Sequence, residues 1–116
     1  MQFEVVFFEK ADGSCPAEEF LLSLDVKMRA KFYRLLELLE EYGNELREPY
    51  SKPLSDGIFE LRAKQGTNIA RVLYFFIVGR KIVVTNGFIK KTQKTPPGEI
   101  KLAIKYREEY ESLKDE

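Results

Sequence analysis

Five cations sit where two neighbouring strands and the end of a third would gather them into one patch: Arg62, Lys64, Arg71, Lys90 and Lys91. From Ile58 to Lys64 the residues alternate, so Phe59, Leu61 and Ala63 share one face while Glu60, Arg62 and Lys64 share the other. Arg71 interrupts the nearly continuous apolar run Ile69 to Val78. It lies across the turn Gln65-Gly66-Thr67-Asn68 from Arg62 and Lys64, within cross-strand reach. An arginine set into an apolar strand is costly unless its charge is answered. Glu60 could answer it as an ion pair, or the guanidinium could await a phosphate, which it would hold through charge-assisted hydrogen bonds. Lys90 and Lys91 close the following strand, and Thr92, Gln93 and Lys94 extend the positive run. Such a cluster suits electrostatic stabilisation of a phosphoryl group and contact with a nucleic-acid backbone.

The charge of the whole chain supports this placement. Residues 52 to 94 hold nine Lys and Arg against two acids, although the 116 residues sum to zero. Residues 1 to 51 carry six bases and eleven acids, and residues 95 to 116 four and six. A basic middle between acidic flanks can present one surface to polyphosphate, because clustered cations release counterions. The competing explanation is a solvated strand face whose lysines guard an edge against aggregation. The overall pI of about 6.4 is low for a protein that binds a polyanion.

Composition narrows the available chemistry. There is no histidine and a single cysteine, Cys15, which removes the commonest general acid or base and any zinc constellation. No metal and no cofactor is expected. Lys, Arg, Tyr, Asp or Glu must carry the protons of any reaction, and Cys15 has no histidine to activate it as a nucleophile. A lone cysteine also fits a reducing cytoplasm. The apolar start Phe3 to Phe8 lacks the basic lead and cleavage site of a signal peptide, and no run approaches the ~18 apolar residues of a membrane span. A single domain over 1–116, cytoplasmic and without a membrane partner, is the expectation.

The elements that must position the cluster read as follows. Gln2 to Phe8 is rich in β-branched and aromatic residues and precedes the turn pair Asp12-Gly13, as a strand would. Pro16 opens a first helix with Phe20, Leu21 and Leu24 on its apolar stripe. Asp25 caps a second, with Met28, Phe32, Leu35, Leu36 and Leu39 at helical spacing and Gly43 as its stop. Gly79-Arg80 suits a two-residue hairpin between the Ile69 strand and a partner from Lys81 to Phe88. Asn86-Gly87 offers a rival turn. Thr95-Pro96-Pro97 opens a last helix with Ile100, Ala103, Ile104, Tyr110 and Leu113 on one side. The fold class is α+β: an N-terminal strand, a helical hairpin, an antiparallel sheet of about four strands and a C-terminal helix.

In order along the chain, three stretches carry a resemblance. Lys52-Pro53-Leu54-Ser55-Asp56-Gly57-Ile58-Phe59-Glu60-Leu61-Arg62, Ala70-Arg71-Val72-Leu73-Tyr74-Phe75-Phe76 and Gly87-Phe88-Ile89-Lys90-Lys91-Thr92-Gln93-Lys94-Thr95-Pro96 together resemble the RelE/HigB superfamily of bacterial toxins. Within it, they are most similar to the phage-derived host-inhibition branch encoded beside helix-turn-helix antitoxins. The resemblance implies a RelE-like fold and a toxin that cuts mRNA in the ribosomal A site, the ribose 2′-oxygen attacking the adjacent phosphate without a metal. It implies catalytic roles for Arg71 as the charge-stabilising arginine, Arg62 as its basic partner on the preceding strand, and Lys91 after the last strand. Lys52, Lys64, Lys90 and Lys94 would then contact RNA.

Two departures from the family pattern leave the activator of the nucleophile unassigned: Glu60 stands where some members place a second lysine, and no tyrosine stands near Pro97. A free lysine, at a pKa of ~10.4, is a poor base unless burial or neighbouring cations lower that value. The partners implied are a helix-turn-helix antitoxin, the ribosome and mRNA. Two other functions fit the same residues: a non-catalytic toxin of the ParE kind that poisons gyrase by protein contact, and an RNA-binding regulatory module.

Overall fold

The computed structural model describes residues 2–90 and 94–114. Lys91, Thr92 and Gln93 lie outside the described residues, so the expectation for Lys91 is not placed. The elements run β1 (Glu4–Phe7), α1 (Pro16–Ser23), α2 (Val26–Tyr42), a short 3-10 turn (Gly43–Glu45), β2 (Ser51–Pro53), β3 (Phe59–Gln65), β4 (Asn68–Ile77), β5 (Lys81–Lys90) and α3 (Pro97–Lys114). The architecture is α+β, and the sheet has five strands in the order β1-β5-β4-β3-β2. It is mixed rather than wholly antiparallel: β1 runs parallel to β5, with Val5 opposite Ile82 and Phe7 opposite Val84. The fifth strand is β2, three residues folded back on β3 through a turn in which Asp56 and Gly57 both take positive φ. That turn is held by Leu54 N–H to Ile58 C=O at 2.8 Å and by the Arg107 guanidinium on the Asp56 carbonyl at 2.5 Å.

Helix ends follow their local chemistry. Pro16 is the first helical residue of α1, where its missing N–H costs nothing. Asp25 caps α2 by accepting the Met28 N–H at 2.8 Å, and Gly43, at φ +56, terminates it. A side chain at Gly43 would also run into the Phe3 ring, which links this stop to the packing of the N-terminal strand.

The sheet is covered on both faces. On one, Leu21 of α1 and Met28, Phe32, Leu35 and Leu39 of α2 pack on Leu61, Ala63, Val72, Tyr74, Ile82 and Val84. On the other, Ala103 and Tyr106 of α3 pack on Phe8, Ile58, Leu73, Phe75 and Val83. The alternation read from β3 therefore holds. The α3 stripe differs: Tyr106 is buried and stacks on Phe8 with ring centroids 4.7 Å apart, whereas Leu113 is 61% exposed. Tyr106 lies three residues beyond Ala103 and so shares its side of the helix.

One irregularity sets the phase of β5. Val72 pairs with Gly87 and Tyr74 with Val84, so Thr85 and Asn86 together oppose Leu73 in a β-bulge. Asn86-Gly87 thus lies at a bulge inside a continuous strand and is not a turn. The Thr85 hydroxyl donates to the Leu73 carbonyl at 3.2 Å, and the Asn86 amide holds the Glu99 side chain at 3.0 Å, tying the first turn of α3 to the bulge. The extra residue resets the alternation, which turns Phe88 toward the α3 face. Gly87 falls on the opposite face, where a Cβ would collide with the Phe20 ring of α1. The β4–β5 connection is Val78-Gly79-Arg80, one residue longer than expected, with Gly79 and Arg80 both at positive φ.

Candidate active site: a cationic end of the sheet

Beyond the bulge, the α3 face of the sheet becomes polar. Register places Arg62 of β3 directly opposite Arg71 of β4, and Phe88 of β5 opposite Arg71 on its other side. One row further, Lys64, Ile69 and Lys90 lie across the same three strands. One row back, Lys52 of β2 stands opposite Glu60. Lys52, Lys64, Lys90 and Lys94 are all exposed, and the Arg62 side chain is 22% exposed.

Arg71 and Glu60 are wholly buried at the centre of this cluster. Glu60 is answered at both oxygens: Arg62 Nε donates to one at 2.5 Å and the Thr95 hydroxyl to the other at 2.6 Å. Arg71 Nη1 in turn donates to the Thr95 oxygen at 3.4 Å, and the Arg71 guanidinium carbon lies 6.0 Å from the centre of the Phe88 ring. Burial draws the Arg71 pKa down, the Glu60 carboxylate opposes that shift, and the like charge of Arg62 adds to it. The group nevertheless stays a cation, as arginines in proteins do. The carboxylate considered as an answer to Arg71 is in direct ion-pair contact with Arg62, and Thr95 joins it to Arg71.

With both oxygens engaged, Glu60 is placed to hold the two arginines and poorly placed to take a proton from an incoming hydroxyl. Thr95 was not among the residues singled out from sequence. Its only sequence signal is its position immediately before Pro96-Pro97, where the chain leaves the sheet and must cross this face. Cys15 lies outside the cluster, at the start of α1. Burial and the nearby Glu18, Glu9 and Glu19 push its thiol pKa up, which keeps it protonated and unreactive at neutral pH.

The model of the family described as phage-derived protein Gp49-like (DUF891) matches residues 19–108, from the middle of α1 into α3. The chain belongs to this family. Gp49-like proteins are associated with RelE-like toxins. The matched span contains the whole cationic cluster and leaves β1 outside it. No curated protein matches the chain. Among the described residues, no helix is long and apolar enough to cross a membrane.

Proposed function

We propose that this Gp49-like protein is the toxin of a type II toxin-antitoxin system, an endoribonuclease of the RelE/HigB kind that cuts mRNA on the ribosome. The observation that carries this reading is the cross-strand pair Arg62 and Arg71, with Glu60 ion-paired to Arg62 and linked through Thr95 to Arg71, beside exposed lysines. The family membership supports it. In the reaction, the ribose 2′-oxygen attacks phosphorus and the bond to the 5′-oxygen breaks, leaving a 2′,3′-cyclic phosphate and a 5′-hydroxyl. The 2′ proton passes to a base and the leaving oxygen acquires a proton. The arginines would stabilise the additional negative charge at phosphorus, and Lys52, Lys64, Lys90 and Lys94 would hold the flanking phosphates. Lys91 is assigned a catalytic role through the resemblance alone. Arg62 is partly exposed, whereas Arg71 is buried and its Nη1 donates to Thr95. The partners of this reading are the ribosome, its mRNA and a helix-turn-helix antitoxin, all within the cytoplasm.

Induced expression of wild type beside Arg71→Ala and Arg71→Lys, with primer extension on a translated reporter, tests it. Codon-phased cuts should fall by about 100-fold or more in both variants, as on loss of a transition-state donor. Circular dichroism and thermal melting check that each variant folds. A folded Arg71 variant that arrests growth as wild type does refutes the assignment. Burial of Arg71 favours two other readings, a non-catalytic toxin of the ParE kind and an RNA-binding module, in each of which Arg71 is purely structural. Folded wild-type protein that arrests growth with intact mRNA and blocked supercoiling would select the ParE form.

A further inference from the structure

On the side of the sheet away from α3, helix α2 and strand β3 enclose a groove of about 960 Å³. Leu35, Leu38, Leu46 and Ala63 give it an apolar floor. Its rim is cationic, with Lys31, Arg34, Arg47, Arg62 and Lys64 against Glu45 and Glu48. Tyr42 and Tyr50 also line it, 47% and 46% exposed, so each ring has a surface open to stacking. Arg34 is engaged by Glu37 at 3.4 Å with both side chains 69% exposed, a contact weak in water and readily exchanged for a phosphate. Arg62 continues the path, because it also lines a second hollow of about 570 Å³ with Lys52, Glu48 and Pro49 and it holds Glu60 of the cationic face.

Strand addition at this edge is blocked. The Lys64 carbonyl that an added strand would use takes the Lys31 ammonium at 2.6 Å, and the Arg62 N–H is taken by the Tyr50 carbonyl at 3.1 Å. The five rim cations still outnumber Glu45, Glu48 and the Glu37 and Glu60 carboxylates that engage Arg34 and Arg62, which favours a polyanion, and two half-exposed aromatic rings favour planar partners, a combination met by single-stranded nucleic acid. Taking RNA as that polymer rests on the function proposed above. We propose that the α2–β3 groove is a track for single-stranded RNA, with phosphates on Arg34 and Arg47, bases stacked on Tyr42 and Tyr50, and Arg62 at the junction with the cationic face.

The probe is a 5′-fluorescein-labelled 12-nucleotide oligouridine, followed by anisotropy across a salt series. Wild type should bind. The double variant Arg34→Glu/Arg47→Glu should bind at least 10-fold more weakly and lower the salt slope by at least about 1.4, since each lost phosphate contact removes about 0.7. Tyr42→Ala/Tyr50→Ala should weaken binding at least about 5-fold while leaving the slope unchanged. All four side chains are on the surface, and thermal melting of each variant confirms folding. Absence of binding by wild type, or equal binding by every protein, overturns the track. A labelled alternating Leu-Glu decapeptide is titrated in parallel: if it needs the groove residues and the oligouridine does not, the groove docks a protein and the proposal falls. Arg71-dependent codon-phased cleavage that is indifferent to the groove variants would sink the track alone. Groove-dependent binding without cleavage would sink the nuclease and keep the track.

Discussion

Removing the carboxylate that holds the two arginines is the most searching perturbation, and Glu60→Gln does so at nearly constant volume. Glu60 is fully buried and accepts from Arg62 and Thr95, so the substitution leaves Arg62 and Arg71 side by side without that counter-charge. Removal of one partner from a buried pair costs about 3–5 kcal/mol, and the partial exposure of Arg62 places this case near 3. At about 4 °C per kcal/mol for a chain of this length, the melting temperature should fall by about 12 °C. The same substitution should convert the cluster into an anion site. If phosphate then binds with a dissociation constant of about 10 mM, about 100 mM phosphate returns about 1.4 kcal/mol, or about 6 °C. Calorimetry in phosphate against chloride at matched ionic strength reads both effects. A loss below about 1 kcal/mol would mean that the carboxylate does not balance the arginines. A phosphate response equal to that of wild type would refute the view that this pocket is shaped for an oxyanion.

Two further outcomes follow from the packing. The Tyr74 phenol is buried, its hydroxyl hydrogen-bonded to Ser51, and burial pushes its pKa up to about 12 from 10. The folded state therefore holds the proton more tightly than the unfolded one, so its contribution to stability is complete below pH 10 and is lost as pH rises toward 12. The loss should reach about 2–3 kcal/mol, seen as a pH-dependent difference between wild type and Tyr74→Phe in urea melts. Equal pH profiles for the two proteins would contradict this. Gly87→Ala should cost about 1–3 kcal/mol through collision with Phe20, and Phe20→Leu should recover part of it in a double-mutant cycle. Additive losses would show that the two positions are not in contact.

Much of the cluster was legible from sequence because it rests on period-two alternation and on Arg71, a charge with no place in an apolar strand. The direct opposition of Arg62 and Arg71 follows from the tight Gly66-Thr67 turn. The bulge at Thr85-Asn86 was not legible, since one surplus residue has no composition of its own, yet it decides which face Phe88 occupies. The parallel pairing of β1 and the existence of β2 escaped for a related reason: each is only three or four residues, and its partner is chosen by the assembled sheet. Charge counting also hid the groove. Lys31, Arg34 and Arg47 belong to the half of the chain with eleven acids, and only the folding of α2 beside the loop before β2 brings them to one rim.

The pairing of β1 with β5 joins Glu4 to Lys81, so β1 finds its neighbour only once β5 has been synthesised. Arg71 likewise meets Phe88 and Thr95 only once those late residues have emerged. Contacts this distant in sequence form late, because the loop must close before they return any stabilisation. A nascent chain therefore displays the helical hairpin before it can assemble its cationic face. On the proposed function, a chain stopped before Phe88 and Thr95 would lack the neighbours of Arg71 and leave the ribosome's message uncut.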